Sequence, residues 1–300
     1  MIIEKICIPY SVFVVRDDLF PFLYGGNKAR KALEYETVLR RGGYNAMVTT
    51  GGIQSNHCRA VALLAARNNW KCHIVYHGSR DRFMEEGGNA AIVRMTNATY
   101  EFVTVDHISS AMDMAMETFR HQGYKPYYVT GGGHDLPGGV AYVKAVDELV
   151  VKMKEMDIIP NRIFLPCGTG STQAGIIVGL SKHGLDDMEV IGISVARTSE
   201  RATSVTTDFT DKLADSVGLP SVSLAKKVHV SDRFLFGGYE GTTPQVKQWL
   251  DTITKYTGII LDTAYSGKAL WGMKSLIEEH GWENDINLFW LTGGIFNALK

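Results

Sequence analysis

A lysine that follows two glycines is the first residue of this chain with a clear chemical use. Residues 25–28 have the sequence Gly-Gly-Asn-Lys; an apolar extended run precedes them, and a helical pattern at residues 29–41 follows directly. This order predicts that Lys28 lies at a junction where rigid elements aim its amine. An amine becomes a nucleophile when burial or neighbouring cations lower its pKa, and Arg30 and Lys31 are such cations. The alternative is an ordinary solvated lysine, since exposure is the rule for this residue type.

A glycine-rich loop at residues 167–175 offers a place for a phosphate group. It follows an apolar strand pattern at residues 163–166, and its sequence is Cys-Gly-Thr-Gly-Ser-Thr-Gln-Ala-Gly. The free N–H groups and the dipole of a helix that starts here would attract an anion, although a tight turn without a ligand has the same pattern. The loop matches neither a nucleoside triphosphate-binding loop nor a dinucleotide fingerprint. A phosphate without a nucleotide, together with a poised lysine, indicates pyridoxal 5'-phosphate (PLP), which binds lysine as a Schiff base and serves as an electron sink.

A third glycine-rich junction, at residues 50–57, has polar side chains at the start of the next helical pattern. Its sequence is Thr-Gly-Gly-Ile-Gln-Ser-Asn-His. Ser55 and Asn56 would present hydroxyl, amide and backbone donors together, which suits a substrate carboxylate. An ordinary helix cap is the alternative, because serine and asparagine both favour that position.

These junctions need a scaffold of alternating strands and helices, and the remaining pattern predicts one. Short buried runs alternate with helical patterns, as in parallel sheets that are covered on both faces. We expect an α/β fold with two open, twisted, mainly parallel sheets, helices on both faces and PLP in the cleft between two domains. A small domain at residues 31–136 would be inserted into a large one formed by residues 1–30 and 137–300. Strands are predicted at residues 46–49, 71–76, 100–105, 126–130, 162–166, 190–195 and 287–291, and helices at 58–68, 82–95, 110–121, 139–156, 172–183, 244–257 and 267–279, with a less regular middle after residue 195.

Composition argues against several other classes of protein. The formal net charge of −1 predicts no general surface for nucleic acid or a membrane. No apolar run approaches membrane-spanning length, and no secretory leader is recognisable. The four cysteines form no CxxC pair, so neither a metal site nor a disulfide framework is predicted. Free thiols fit a reducing cytoplasm, where we expect the protein to act.

The three junctions and two further motifs together carry a specific family resemblance. The further motifs are Asp-Thr-Ala-Tyr-Ser-Gly-Lys-Ala at residues 262–269 and Leu-Thr-Gly-Gly at residues 291–294. In this order the motifs resemble the D-cysteine desulfhydrase and 1-aminocyclopropane-1-carboxylate (ACC) deaminase family, PLP-dependent enzymes of the tryptophan-synthase-like fold. The resemblance covers nearly the whole chain and implies a small amino-acid substrate and a homodimer. It also implies that relatives have an N-terminal extension before the strand that leads to Arg16.

The resemblance assigns a role to each motif residue. Lys28 would carry PLP covalently and then act as acid and base, Asn56 would hydrogen-bond the ring hydroxyl, and Thr292 would face the ring nitrogen. Tyr265 would face the substrate, and Tyr239 resembles a second active-site tyrosine, although residues 240–244 depart from the family pattern. The phosphate would be held by Gly168, Thr169, Gly170, Ser171 and Thr172, and the substrate carboxylate by Ser55, Asn56 and His57 with Gln54 beside them.

The resemblance favours β-elimination over ring opening. ACC deaminases place a glutamate where this chain has Ser266 and a leucine where it has Thr292, and His57 fits the desulfhydrase pattern. A carboxylate at the ring nitrogen would keep it protonated and deepen the electron sink, whereas a hydroxyl would not. Elimination needs less carbanion delocalisation because the leaving group departs from Cβ. The expected reaction converts D-cysteine to pyruvate, ammonia and sulfide, with the Cα proton removed by Lys28 or by a pair formed by Ser55 and Tyr265.

Other interpretations stay open on the sequence. An ACC deaminase-like ring opening would keep PLP, as would a β-replacement or tailoring enzyme of a biosynthetic pathway. A nucleotide-binding oxidoreductase would use the loop at residues 167–175 with Arg197 on a 2'-phosphate, but it would leave Lys28 unexplained. A PLP-binding protein without catalysis would give Tyr265 and the carboxylate nest no purpose.

Overall fold

Two sheets with their covering helices make up the fold. The computed structural model describes residues 1–8, 10–220, 224–238 and 241–299. The strands are β1 (Ile3–Cys7), β2 (Ser11–Arg16), β3 (Ala46–Gly52), β4 (Lys71–His77), β5 (Thr99–Val103), β6 (Pro126–Tyr128), β7 (Arg162–Cys167), β8 (Glu189–Ser194), β9 (His229–Ser231) and β10 (Asn287–Leu291). The helices are α1 (Asn27–Gly42), α2 (Asn56–Arg67), α3 (Arg80–Glu85), α4 (Gly88–Arg94), α5 (Ile108–His121), α6 (Leu136–Met156), α7 (Ser171–Lys182), α8 (Ser199–Ser216), α9 (Pro244–Thr257), α10 (Ser266–His280) and α11 (Ile295–Ala298).

The larger sheet has six strands in the order β1-β2-β10-β7-β8-β9. Only β1 and β2 are antiparallel to each other, and the other neighbours run parallel. Ile163, Phe164 and Leu165 of β7 are all fully buried. Such an unbroken apolar run is expected when helices cover both faces of a parallel sheet. The predicted α/β class, with parallel sheets flanked by helices, is confirmed.

The smaller sheet has four parallel strands in the order β5-β4-β3-β6. All four lie between residues 46 and 128, inside the segment predicted as an inserted domain. Helix α1 contacts both α2 and α6, so it links the two sheets. The domain boundaries at residues 31–136 stay a prediction.

One predicted helix, at residues 82–95, is wrong because two helices occupy this segment. Helix α3 ends at Glu85, and Glu86 has an extended backbone with φ −70° and ψ 148°. Gly88 has a φ of +61°, a conformation that glycine adopts at no steric cost. The new start at Gly88 puts Asn89 in the first turn of α4, where it contacts the start of α2.

The less regular middle predicted after residue 195 contains a long helix, α8. Its polar sequence has many serine and threonine residues, which have only modest helix propensity. Ala202, Thr206, Phe209 and Leu213 nevertheless form one buried face, and this packing stabilises the helix. Neither α8 nor any other helix in the described ranges has the length and apolar character needed to cross a bilayer.

Candidate active site

The predicted motifs meet at one cavity, whose walls come from the loops of both sheets. Carboxyl ends of parallel strands are where such folds bind ligands. Gln54 and Ser171 are not part of the cavity wall, and Tyr239 lies outside the described residues. The predicted site residues that line the cavity are Lys28, Ser55, Asn56, His57, Gly168, Thr169, Gly170, Thr172, Tyr265 and Thr292.

Lys28 is held at the first turn of α1 with its amine at the cavity. Its Nζ donates to the carbonyl oxygen of Gly132 at 2.8 Å. Burial lowers the pKa of Lys28 from 10.5 to about 8, even though the carboxylate of Asp135 acts in the opposite direction. A share of the amine is therefore unprotonated near neutral pH, which is the condition for a nucleophile or a base.

Close backbone contact between two glycine segments fixes this end of α1. The N–H of Asn27 donates to the carbonyl oxygen of Thr292 at 2.9 Å. Gly26 and Gly293 have φ values of +87° and +100°, and a Cβ on Gly293 would lie 2.8 Å from Cα of Gly26. Side chains at these positions would push the two backbone segments apart, so the glycines set the distance between Lys28 and Thr292.

Lys31 is a second buried lysine, behind the cavity wall. From the sequence it is identified only as a neighbouring cation of Lys28. It is 1% exposed, and its Nζ lies 2.6 Å from Oγ of Ser171 and 3.2 Å from the carbonyl oxygen of Gly133. Burial and then the charge of Lys28 lower its pKa well below the ordinary value. A spacing of three residues puts Lys28 and Lys31 on the same face of a helix, and this spacing is the signal that could have identified Lys31.

The predicted phosphate loop has the geometry of an anion site. Helix α7 begins at Ser171 after Gly170, and no side chain caps its first N–H groups. The hydroxyl of Ser171 donates its hydrogen to the carbonyl oxygen of Gly133 at 3.0 Å, so this hydrogen does not point to the phosphate position. Gly168, Thr169, Gly170 and Thr172 line the cavity in front of these N–H groups. Free N–H groups, with the amine of Lys31 beside Ser171, suit a phosphate.

The start of α2 forms the wall predicted for the substrate carboxylate. Ser55 caps the helix, its Oγ accepting from the N–H of Cys58 at 3.2 Å, and Ser55 also lines the cavity. The side chain of Gln54 points away from the cavity, towards the α3–α4 segment. Its amide donates to Glu86 at 2.9 Å and accepts from the N–H of Asn89 at 3.0 Å. The role of Gln54 as a substrate ligand stays a prediction; its observed contacts fix the α3–α4 segment.

The opposite wall carries Tyr265 and Thr292. Asp262, which is 1% exposed, accepts from the N–H groups of Tyr265 at 2.8 Å and Ser266 at 2.9 Å. The hydroxyl of Ser266 donates to the same carboxylate at 2.6 Å, so Ser266 holds the loop and does not line the cavity. The hydroxyl of Thr292 has no partner among the described residues and faces the cavity.

A family match identifies the chemistry. A model of the family described as "Pyridoxal-phosphate dependent enzyme" matches residues 4–293. The chain belongs to this family. It is 26% identical over 289 residues to D-cysteine desulfhydrase of Salmonella paratyphi A, covering 95% of this chain and 87% of the relative. It is 30% identical over 265 residues to the ACC deaminase of Methylobacterium nodulans, covering 85% and 78%. A solved ACC deaminase homologue matches 99% of this chain and 90% of its own with a TM-score of 0.86 and 27% identity.

The side chains of the cavity fit PLP. The lowered pKa of Lys28 suits covalent attachment, the capless start of α7 with Lys31 suits the phosphate, and Thr292 has a free hydroxyl for the ring. No group of three metal-ligating side chains occurs in the part of the chain that the structure describes. The protein is therefore a PLP-dependent enzyme in which Lys28 and the loop before α7 are the expected anchors.

Proposed function

We propose that this enzyme is a lyase that removes the β-substituent of a small amino acid, with D-cysteine as the leading substrate. D-Cysteine and water would give pyruvate, ammonia and hydrogen sulfide. The similarity to a D-cysteine desulfhydrase over 95% of this chain supports the proposal. The expected homodimer and the cytoplasmic location stay predictions.

The observation that carries the proposal is the neutral wall of the cavity at Thr292. No aspartate or glutamate among the described residues lines the cavity. The serine at the position where ACC deaminases have a glutamate is bonded to Asp262 instead. A neutral hydroxyl does not keep the ring nitrogen of PLP protonated. The ring would then delocalise less of the negative charge that develops at Cα. β-Elimination needs less carbanion delocalisation than ring opening, because the leaving group departs from Cβ.

The chain's own residues have the properties that the reaction needs. PLP, when bound, supplies the electron sink. Lys28, with a pKa of about 8, is suited to take the proton from Cα. The free N–H groups and Ser55 hydroxyl at the start of α2 suit the substrate carboxylate. Tyr265 lines the same cavity, and with Ser55 it forms the alternative pair for proton transfer from the other face.

The test is incubation of the purified holoenzyme with D-cysteine, with pyruvate and sulfide measured together. Equal amounts of both products are expected, and Lys28→Ala should lower their formation roughly a hundred- to ten-thousandfold, the range for loss of a general acid–base group. L-Cysteine and ACC serve as comparison substrates. Formation of 2-oxobutanoate from ACC, with none of these products from D-cysteine, would replace elimination by ring opening. A new C–S or C–N bond in place of pyruvate would indicate β-replacement.

A further inference from the structure

The ring of His57 has one nitrogen bonded to the protein interior. Nε2 lies 2.8 Å from Oγ1 of Thr49, and Oγ1 of Thr49 donates to the carbonyl oxygen of Val129 at 2.9 Å. His57 is 3% exposed and Thr49 is fully buried. Water therefore does not compete for these two bonds.

The direction of the two hydrogen bonds from His57 through Thr49 to Val129 fixes the tautomer of His57. A backbone carbonyl only accepts, so the single hydroxyl hydrogen of Thr49 goes to Val129. Thr49 must then accept at Oγ1, and Nε2 of His57 must carry the hydrogen that it accepts. Burial, followed by the charges of Lys28 and Lys31, lowers the pKa of His57 well below 6.5, so the ring is neutral. Nδ1 consequently holds a lone pair and no hydrogen.

This lone pair is open to the cavity. His57 lines the cavity, and no described residue makes a hydrogen bond to Nδ1. Nδ1 is also not among the polar side-chain atoms that are fully buried without a hydrogen-bond partner. The ring of His57 can therefore accept a hydrogen bond from a bound molecule, but it cannot donate one.

Only one substituent of an amino-acid substrate can meet this requirement. A carboxylate has no hydrogen to give, so within the carboxylate nest His57 contributes its backbone N–H and not its ring. The amino group would be engaged by PLP. The low pKa of the ring makes it a poor base for the proton on Cα, for which Lys28 is better suited. The β-substituent remains.

We propose that His57 is a specificity residue that accepts a hydrogen bond from a hydrogen-bearing β-substituent, a thiol or a hydroxyl, and that Thr49 positions it by fixing the tautomer. The proposal rests on the elimination function above and deepens it. We therefore expect a substrate with a β-thiol to be preferred to one of similar size whose β-substituent carries no hydrogen to donate.

The test compares D-cysteine with β-chloro-D-alanine, which has a leaving group at Cβ but no hydrogen on it. In Thr49→Val the methyl group cannot accept from Nε2–H, so the neutral ring gains by moving its hydrogen to Nδ1. The ratio of kcat/KM for D-cysteine to that for β-chloro-D-alanine should then fall about tenfold, the equivalent of one hydrogen bond. Thr49→Ser retains the hydroxyl and is the matched control, with the ratio expected within about twofold of the wild type.

A spectroscopic measurement reports the tautomer without turnover. Nitrogen-15 NMR of the histidine-labelled holoenzyme, with His57 assigned by its loss in His57→Asn, should show hydrogen on Nε2 and none on Nδ1 between about pH 6 and 8, as the low pKa of the ring requires. Thr49→Val should change this signal and Thr49→Ser should not. A hydrogen on Nδ1 in the wild type would overturn the inference.

The outcomes separate the inference from the proposed function. Wild-type enzyme that forms pyruvate from both substrates, with a ratio that Thr49→Val leaves unaltered, would overturn the role of His57 and keep the elimination. No pyruvate from either substrate would overturn the elimination function and this specificity role with it. Pyruvate formation with a reduced ratio only in Thr49→Val supports both.

Discussion

Nδ2 of Asn89 lies 3.0 Å from Oδ1 of Asn56, so the amide of Asn89 presents a donor to the amide of Asn56. The same Nδ2 atom lies 3.1 Å from the backbone carbonyl oxygen of Gln54. That oxygen only accepts, so the assignment of nitrogen and oxygen in Asn89 is fixed. Nδ2 carries two hydrogens for three acceptors, the third being Oδ1 of Asn297 at 2.8 Å. An NH₂ group of Asn56 at this place would meet another donor, so Asn56 turns its oxygen to Asn89. Its own NH₂ group is then left for the predicted bond to the ring hydroxyl of PLP.

Removal of the Asn89 amide is expected to weaken cofactor binding. In Asn89→Ala the amide of Asn56 can rotate, so the dissociation constant for PLP should rise about tenfold, equivalent to about one hydrogen bond, and the visible absorption band should move. Asn297→Ala is the matched control. It removes another acceptor of Asn89 Nδ2, at 2.8 Å, without touching Asn56. An equal change in both variants would show that general loosening of α4, and not the orientation of Asn56, is responsible.

Lys31 is expected to contribute to phosphate binding. Lys31→Met should raise the dissociation constant for PLP by roughly ten- to a hundredfold, because a hydrogen bond to a charged group is lost. Pyridoxal, which lacks the phosphate, provides the comparison, and its affinity should change little. If both ligands weakened equally, Lys31 would act through the packing of α1 and not through the phosphate.

The stability of the apoprotein should depend on pH through Lys28. Its pKa is lowered from 10.5 to about 8, so between these values the unfolded chain binds more protons and the free energy of unfolding rises with pH. Below about pH 8 the amine of Lys28 is protonated in both the folded and the unfolded chain, and burying its charge lowers the free energy of unfolding by the full amount. Urea unfolding of apo Lys28→Met should show a slope smaller than the wild type by up to about 1.4 kcal/mol per pH unit in this window. Lys144→Met, at a surface side chain that is 57% exposed, should leave the slope as it is.

Thr292 and Ser266 should respond differently to loss of their hydroxyls. Thr292→Val should lower kcat/KM about tenfold and shift the cofactor absorption, since a hydroxyl at the ring is lost, and Thr292→Ser should restore both. Ser266→Ala should lower the free energy of unfolding by about 1–3 kcal/mol, because the buried carboxylate of Asp262 loses a partner. Unchanged kinetics in Thr292→Val would remove Thr292 from the site, and a shifted spectrum in Ser266→Ala would assign Ser266 a role at the cofactor.

Much of the fold follows from local patterns in the sequence. The buried run in β7 and the glycine-rich junctions before α1, α2 and α7 predict strands, turns and helix starts, because turn chemistry and apolar runs act over a few residues. Local patterns do not predict helix α8. Its polar sequence has little local signal, and packing of a buried face, which is a tertiary effect, stabilises it. The predicted helix at residues 82–95 runs across the Gly87–Gly88 pair, which is a local signal for the break between α3 and α4.

The sequence by itself determined the candidate residues. The residue types of the motifs indicate a chemical use for Lys28, Ser55 and Asn56, and the family resemblance adds Thr292. Only the tertiary structure decided how each group is used. Ser266 is bonded to Asp262, Gln54 faces α4, Lys31 faces the loop before α7, and Thr49 sets the tautomer of His57. The physical reason is that a hydroxyl or amide has few hydrogens and lone pairs. The partner that occupies them comes from a different part of the chain, and no local pattern contains that information.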